Sequence, residues 1–358
     1  MPKVCIGLDI GTSAVKAIQL SRMGESYTLT RAGVVPIPLG AIEGGTVRDT
    51  ATVAQLVTRL LRQARIGGRR VMVAVAGQGV LIRSQKFPPM TRKELAGAIR
   101  WEAEKYIPFP IDEAVLDFDV VGATPDTGEQ EVMIVAAQRS IIDSHIEVLK
   151  EAKLQALAMD VQPFALARSL GSHLSTAMEG QAANVALIDV GAGTTDLVIF
   201  REEVLRFTRI IPIGGNYFTR ALAGRLGMSD EDAEALKLSR GQIPLGDEQH
   251  GLDTPEDAQL SSILAGVMSE LVTEIRRSID YFRLQTHEEV ARLVATGGGI
   301  MLRNMVPFLE RELGLPVETG DPMANIHAGA RNFSPELMAG AGPIFCVAIG
   351  LALRGVQE

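Results

Sequence analysis

The stretch Asp189-Val190-Gly191-Ala192-Gly193-Thr194-Thr195-Asp196 lies between two apolar runs, Asn184 to Ile188 and Leu197 to Phe200. Two strands joined by a glycine turn form a hairpin whose turn amides point outward together, a concave nest for phosphate oxygens. Gly191 and Gly193 have no Cβ, so they can take turn dihedrals and let an anion approach the backbone. Thr194 and Thr195 add hydroxyl donors. Asp189 repels phosphate but suits a hydrated Mg²⁺ that bridges to one. On this stretch alone an ordinary β-hairpin with a glycine turn reads equally well.

A second copy, 180 residues earlier, favours the phosphate reading: Leu8-Asp9-Ile10-Gly11-Thr12-Ser13-Ala14-Val15-Lys16-Ala17-Ile18, with Asp9 at the place of Asp189 and Gly11 at that of Gly191. Two phosphate hairpins half a chain apart imply two similar α/β halves facing each other across a nucleotide. Lys16, on the returning strand, adds a charge that the second copy lacks. A lone lysine on a strand is usually a solvated face, but beside paired hairpins an ammonium that reaches the β- or γ-phosphate is the better reading.

At 358 residues the chain fits two domains, and its hydrophobic content of 46% suits packed cores. A net charge of -8, with Arg and Glu interspersed, argues against general nucleic-acid binding. Cys5 and Cys346 sit in apolar contexts and read as small buried hydrophobes in a reducing compartment. The five histidines are scattered, with no metal-ligand spacing. No signal-peptide pattern opens the sequence, so a cytoplasmic location is expected. The uncharged run Leu337 to Leu353 is too short to span a membrane and reads as a buried helix.

In chain order, strands are expected at Val4–Ile10, Ala14–Leu20 and Tyr27–Ile37, then a helix capped by Asp49 with Val53, Leu56, Val57, Leu60 and Leu61 on one face. Val71–Ala76 and Val80–Phe87 are expected to pair as a hairpin. After Pro88-Pro89, the Thr91/Glu94 capping box predicts a helix from Arg92 to Tyr106, followed by two strands and a helix over Ile141–Ala152. Residues 88–160 thus read as an α+β insertion without a nucleotide motif. Pro163 suits the start of a helix beginning at Gln162. Gly214-Gly215-Asn216 opens another helix, a potential anion site or a plain glycine turn. A long helix carries Leu260 to Phe282 at a 3.6 period, Thr296-Gly297-Gly298-Gly299 follows a strand, and Met301 to Leu313 is expected to be helical.

Paired hairpins, the Gln162 helix, Ala233-Glu234-Ala235-Leu236-Lys237, the Thr-Gly-Gly-Gly element and a final crossing helix occur here in the order of the actin, Hsp70 and sugar-kinase superfamily. The resemblance covers essentially the whole chain. Its implied fold class is α/β, with duplicated ribonuclease-H-type domains of the actin-like and Hsp70-like kind. The place of the insertion resembles FtsA and the PilM family of type IV pilus assembly. The wording of Ala98-Ile99-Arg100-Trp101-Glu102-Ala103-Glu104-Lys105-Tyr106-Ile107-Pro108-Phe109, Ile213-Gly214-Gly215-Asn216 and Leu313-Gly314-Leu315-Pro316-Val317-Glu318 resembles PilM more closely. FtsA-like proteins are longer and end in a linker and an amphipathic membrane helix, whereas this chain is expected to finish at its crossing helix. The implied division is a first domain at 1–87, an inserted subdomain at 88–160, a connecting helix region at 161–183, a second domain at 184–212 and 288–335 with its own subdomain at 213–287, and a crossing helix at 336–358.

The resemblance implies ATP and Mg²⁺ as cofactors. Asp9 and Asp189 would hold the metal through water, while Gly11, Thr12, Ser13, Gly191, Gly193, Thr194 and Thr195 bind phosphates neutralised by Lys16. Gly214, Gly215 and Asn216 would line the γ-phosphate side. Glu234 and Lys237 would meet the ribose or adenine, or else form an i, i+3 ion pair on a solvated helix. Gly297, Gly298, Gly299 and Met301 would contact the adenosine. Gln162 matches a water-orienting position, but a neutral amide is a poor proton acceptor, so weak or no ATPase activity is expected. The implied function is a cytoplasmic ATP-binding adapter that takes the N-terminal cytoplasmic tail of PilN and links the membrane platform to the pilus motor. It would be peripheral at the inner membrane through that partner, without inserting into the bilayer. Contacts with the pilus assembly ATPases, with the platform protein and within a homo-oligomer are compatible with this role. Trp101 and Tyr106, on the insertion, are candidates for the partner groove or for core. The alternatives are a filament-forming cytoskeletal ATPase like FtsA or MreB, or a small-molecule kinase of the same superfamily.

Overall fold

The computed structural model describes residues 3–123, 128–174, 183–202, 204–245, 254–329 and 342–358. β1 (Lys3–Ile10), β2 (Ala14–Met23) and β3 (Ser26–Pro36) form an antiparallel meander. After the small β4 (Ile42–Glu43) and β5 (Thr46–Val47) comes α1 (Thr50–Gln63), which Asp49 caps through its carboxylate on Thr52 N at 3.0 Å. Its Val53, Val57, Leu60 and Leu61 are buried in the first half's core. β6 (Arg70–Val75) then runs parallel to β1.

The expected hairpin of β6 with the next strand does not form. Both neighbours of β6 are taken, by β1 and by β10 (Gln155–Val161), each parallel to it. At Gly77, with φ +102, the chain leaves the sheet, and β7 (Val80–Phe87) opens the inserted layer instead. That layer holds α2 (Arg92–Ala103), β8 (Ala114–Ala123) and β9 (Gln130–Gln138), in strand order β7-β9-β8. The Thr91/Glu94 capping box is present, and Leu95 and Ile99 pack on Phe87, Val132 and Ile134. α3 (Arg139–Glu151), expected in the insertion, puts Val148 and Leu149 into the core beneath α1 and belongs with β10 to the first half.

β10 leads into α4 (Gln162–Ser169) and the short α5 (Gly171–Leu174). The second half repeats the plan: β11 (Asn184–Val190), β12 (Thr195–Arg201) and β13 (Val204–Ile211) form a meander, followed by α6 (Gly215–Leu226), α7 (Asp230–Arg240) and the long α8 (Pro255–Thr286). β14 (Val290–Thr296) lies parallel to β11. Helix α9 (Met305–Leu313) begins later than its periodicity predicts, because Gly299–Met301 is a 3₁₀ turn and Asn304 is left-handed, with φ +68. β15 (Val317–Thr319) completes the sheet, and β16 (Ile326–Ala328) returns to pair with β3.

The sheet orders β10-β6-β1-β2-β3 and β15-β14-β11-β12-β13 are the same arrangement twice. The last helix, α10 (Cys346–Gln357), is described from its start; the expected residues 337–341 lie outside the described residues, as does much of the loop before α8. α10 crosses the back of β1 and lies against α4, and glycines make room for both contacts. A Cβ on Gly7 would sit 2.7 Å from Ala352 N, and one on Gly350 only 2.9 Å from Ala165 Cα. The central core joins α4, α10, Leu187, Val198 and Phe200 of the second half and Ile82 and Met133 of the insertion. Burial there is continuous across all three parts.

Candidate functional site

The two hairpin turns close in the same way. Gly11 N donates to Ala14 O at 3.1 Å and Gly191 N to Thr194 O at 2.9 Å. They face each other so closely that a Cβ on Gly193 would lie 3.1 Å from Thr12 Oγ1. Between the halves is a cavity of about 980 Å³, a volume that suits a small-molecule cofactor. Asp9, Gly11, Thr12, Ser13, Lys16, Gln162, Asp189, Gly191, Gly193 and Thr194 line it. So do Gly215, Asn216, Glu234, Lys237, Gly297, Gly298, Gly299 and Met301.

Two of the expected residues do not reach the cavity wall. Thr195 is fully buried and donates its hydroxyl to Ile213 O at 2.6 Å. Gly214 lies beneath the second turn, where a Cβ would stand 2.7 Å from Ala192 O. The start of α6 also differs from a free anion site. Gly215 N donates to Gly191 O at 2.9 Å and Asn216 N to Ala192 O at 2.8 Å, so these amides brace the hairpin turn.

Register places Asp9 opposite Lys16 and Asp189 opposite Asp196. Lys16 Nζ donates to Asp9 Oδ2 at 3.0 Å. Burial works against the ammonium, but the Asp9 charge and hydrogen bond, with Asp189 beyond, raise its pKa. In the second half no cation sits at the equivalent place. Gln162 Nε2 donates to Asp189 Oδ2 at 2.5 Å and to Asp196 Oδ2 at 3.3 Å. Burial, followed by repulsion from Asp189, pushes the Asp196 carboxyl up to about 7. Burial is also the main cause at Asp189, which rises to about 6 even though Lys16 draws it down.

On the far side, Lys237 Nζ donates to Gly215 O at 2.9 Å, Thr219 Oγ1 at 2.8 Å and Glu234 Oε2 at 2.6 Å, and Thr219 also bonds Glu234. The i, i+3 ion pair is therefore real, and it forms part of the cavity wall that ties α7 to the start of α6.

Sequence reasoning passed over several lining residues. Asp196 stands 180 residues after Lys16, so the internal repeat marks it. His145 lines the first-half end, its Nδ1 2.9 Å from Ile141 O, and burial lowers its pKa. Arg303 and Leu238 lie at the opposite end, and no sequence pattern points to these three. On the insertion, Trp101 is 67% exposed with Lys105 Nζ 3.9 Å from its ring centre, so it is not core. Tyr106 lies under the Arg83 guanidinium at 4.6 Å, and its buried hydroxyl has no hydrogen-bond partner among the described residues.

Two duplicated halves closing on paired glycine hairpins define an actin-like protein. MreB5 of Spiroplasma citri, solved with ADP bound, shares the fold at a TM-score of 0.54 and 14% identity over 97% of this chain and 94% of that one. The family model described as type IV pilus assembly protein PilM matches residues 7–356, and the chain belongs to that family. A solved PilM-PilN type IV pilus biogenesis complex aligns over 99% of both chains, at a TM-score of 0.87 and 32% identity. The cell division protein FtsA of Neisseria meningitidis is 28% identical over 347 residues, covering 88% of this chain and 83% of that protein. Among the described residues, no helix is long and apolar enough to cross a membrane.

Proposed function

We propose that this PilM-family chain is an ATP-binding adapter of type IV pilus assembly that takes the N-terminal cytoplasmic segment of PilN and links the membrane platform to the pilus motor. The likeness to PilM of the PilM-PilN complex, over 99% of both chains, carries this reading. The insertion and its rim are the candidate peptide surface. An extended tail there would bind through backbone hydrogen bonds and a few apolar anchors, with Trp101 an exposed aromatic anchor on α2.

The paired turns support a nucleotide as the cavity's occupant. The remaining turn amides and the hydroxyls of Thr12, Ser13 and Thr194 on the cavity wall suit phosphate oxygens, and Lys16 supplies the positive charge. Asp9 and Asp189 fit an outer-sphere role toward Mg²⁺. They are carboxylates near the ends of β1 and β11, where the chain enters the two facing turns. Gln162, held by two carboxylates through Nε2, presents an amide oxygen that can orient water but accepts a proton poorly. Slow turnover or none follows.

The test is binding of a fluorescent peptide copied from the first dozen or so residues of the cognate PilN, with and without Mg-ATP, to wild type and to an Asp9→Ala/Asp189→Ala variant. Saturable binding is expected, with a nucleotide effect that the variant loses. Absence of peptide binding in every nucleotide condition refutes the adapter.

A further inference from the structure

The nucleotide cavity lies where β1 and β6 end. The opposite end of the first sheet collects the start of β1, the β2–β3 turn, the start of β6 and the last turns of α1 and α3. Charge is unevenly distributed there. From Thr58 to Met72 the sequence holds five arginines and no acid. Arg62, Arg65, Arg69 and Arg70 are exposed, as are Lys150 and Lys153 at the end of α3. None of the six has an ion-pair partner among the described residues, whereas about half of the other exposed described arginines do.

Backbone contacts hold these segments together. Gln155 N donates to Arg69 O at 2.7 Å just after Lys153, and Gln19 Nε2 to Gly67 O at 3.3 Å. The acids at this end are few: Glu25, Glu147, Glu151 and Glu358, the last already bonded to Arg354. Strand register brings Lys3 opposite Arg22, and beside them Val4 is 51% exposed and Met23 77%.

We infer that this end of the molecule is a docking surface for an anionic phospholipid bilayer. Unpaired, solvated cations on several chain segments suit a diffuse layer of headgroup charge, to which each contributes independently. Met23 and Val4 suit shallow contact at the headgroup boundary. None of the six basic residues lines the central cavity or the smaller pocket between α6 and α8. Tyr27 lies under Arg22 at 5.7 Å and packs partly buried against the core, which disfavours stacking of bases from single-stranded nucleic acid. The surface needs neither nucleotide nor peptide. It would orient the nucleotide cavity away from the membrane while a protein partner holds the chain there.

The full chain, without nucleotide or other protein, is sedimented with vesicles of phosphatidylcholine alone or mixed equally with phosphatidylglycerol, at low and high NaCl. Binding is expected only with phosphatidylglycerol, and salt should release it. The Arg62→Gln/Arg69→Gln/Arg70→Gln variant should bind on the order of a hundredfold more weakly, from roughly fivefold per charge. An Arg225→Gln/Arg277→Gln/Arg311→Gln variant, with the same net charge but changed on the second half, should stay within about threefold of wild type. Matching urea midpoints establish that both variants fold. Equal losses in the two triples, or no preference for phosphatidylglycerol, overturns the surface. So does displacement from vesicles by a stoichiometric DNA duplex, which would identify nucleic acid as the occupant. None of these results bears on peptide binding, so the adapter stands or falls separately.

Discussion

Asp196→Asn tests the electrostatics of the second hairpin. Asp196 is 4% exposed, faces Asp189 and shares one amide donor with it. Its folded pKa of about 7 lies above the ordinary carboxylate value of 3.8. Between those values the folded state keeps a proton that the unfolded chain has released. Stability from this group is therefore fully present below pH 3.8, falls as pH rises, and levels off once the folded carboxyl has ionised. From pH 5 to pH 7 the loss spans about two units at 1.36 kcal/mol each, tapering as the folded carboxyl begins to ionise, on the order of 2 kcal/mol. Asparagine cannot ionise and has nearly the shape of the protonated acid. The variant should match wild type within about 2 kcal/mol at pH 5 and be more stable than it by a margin that grows to pH 8. Urea unfolding of the ligand-free protein across pH 5–8 gives the difference directly. A variant that tracks wild type in parallel over this range refutes the argument, because the buried carboxyl would then carry no linkage.

Gly350→Ala places a methyl 2.5 Å from Ala165 C, a backbone atom that cannot swing away, so the α4–α10 crossing should open at a cost of roughly 3 kcal/mol, read by urea unfolding. Gly297→Ala combines a φ of +91 with a Cβ 2.6 Å from Val190 O and pressed on Asp189. About 2–4 kcal/mol of stability should be lost together with nucleotide binding, measured by calorimetric titration. Lys237→Met removes three hydrogen bonds and leaves Glu234 with the Thr219 hydroxyl, so α7 should loosen from α6 and the affinity for Mg-ATP fall about tenfold or more in the same titration. Unchanged affinity would make the Glu234–Lys237 pair a surface feature without a role in the site.

The fold was legible where chemistry repeats at a fixed offset. Asp9 and Gly11 against Asp189 and Gly191 were enough to place two halves, because a glycine turn between apolar runs has few other conformations. Partner choice between strands was not legible. Val80–Phe87 alternates like any half-buried strand, and whether it pairs with β6 or with β9, some fifty residues on, depends on which edge of the sheet is already taken. Cap and turn chemistry was legible at Asp49 and Thr91 but not at Asn304, where a left-handed residue delays a helix whose periodicity had already begun. The amides of Gly215 and Asn216 look free in sequence. Only the three-dimensional approach of α6 to the hairpin turn assigns their partners. The basic end of the first half was hidden by averaging, since a net charge of -8 says nothing about a segment in which five arginines meet no acid.

The duplication also explains why a symmetric fold has a polar axis through its site. Equivalent register positions hold Lys16 in one half and Asp196 in the other. In the first half the ammonium closes on Asp9 and leaves a nearly neutral pair. In the second half two carboxylates share a single amide donor, and burial keeps both from ionising easily. A phosphate chain across the cleft would meet positive charge on one side and a protonatable acid pair on the other. Gln162 is the joint between them, because it begins α4, the helix that α10 crosses. Any ligand that pulls Asp189 toward itself draws on the Gln162 amide and so on the start of α4.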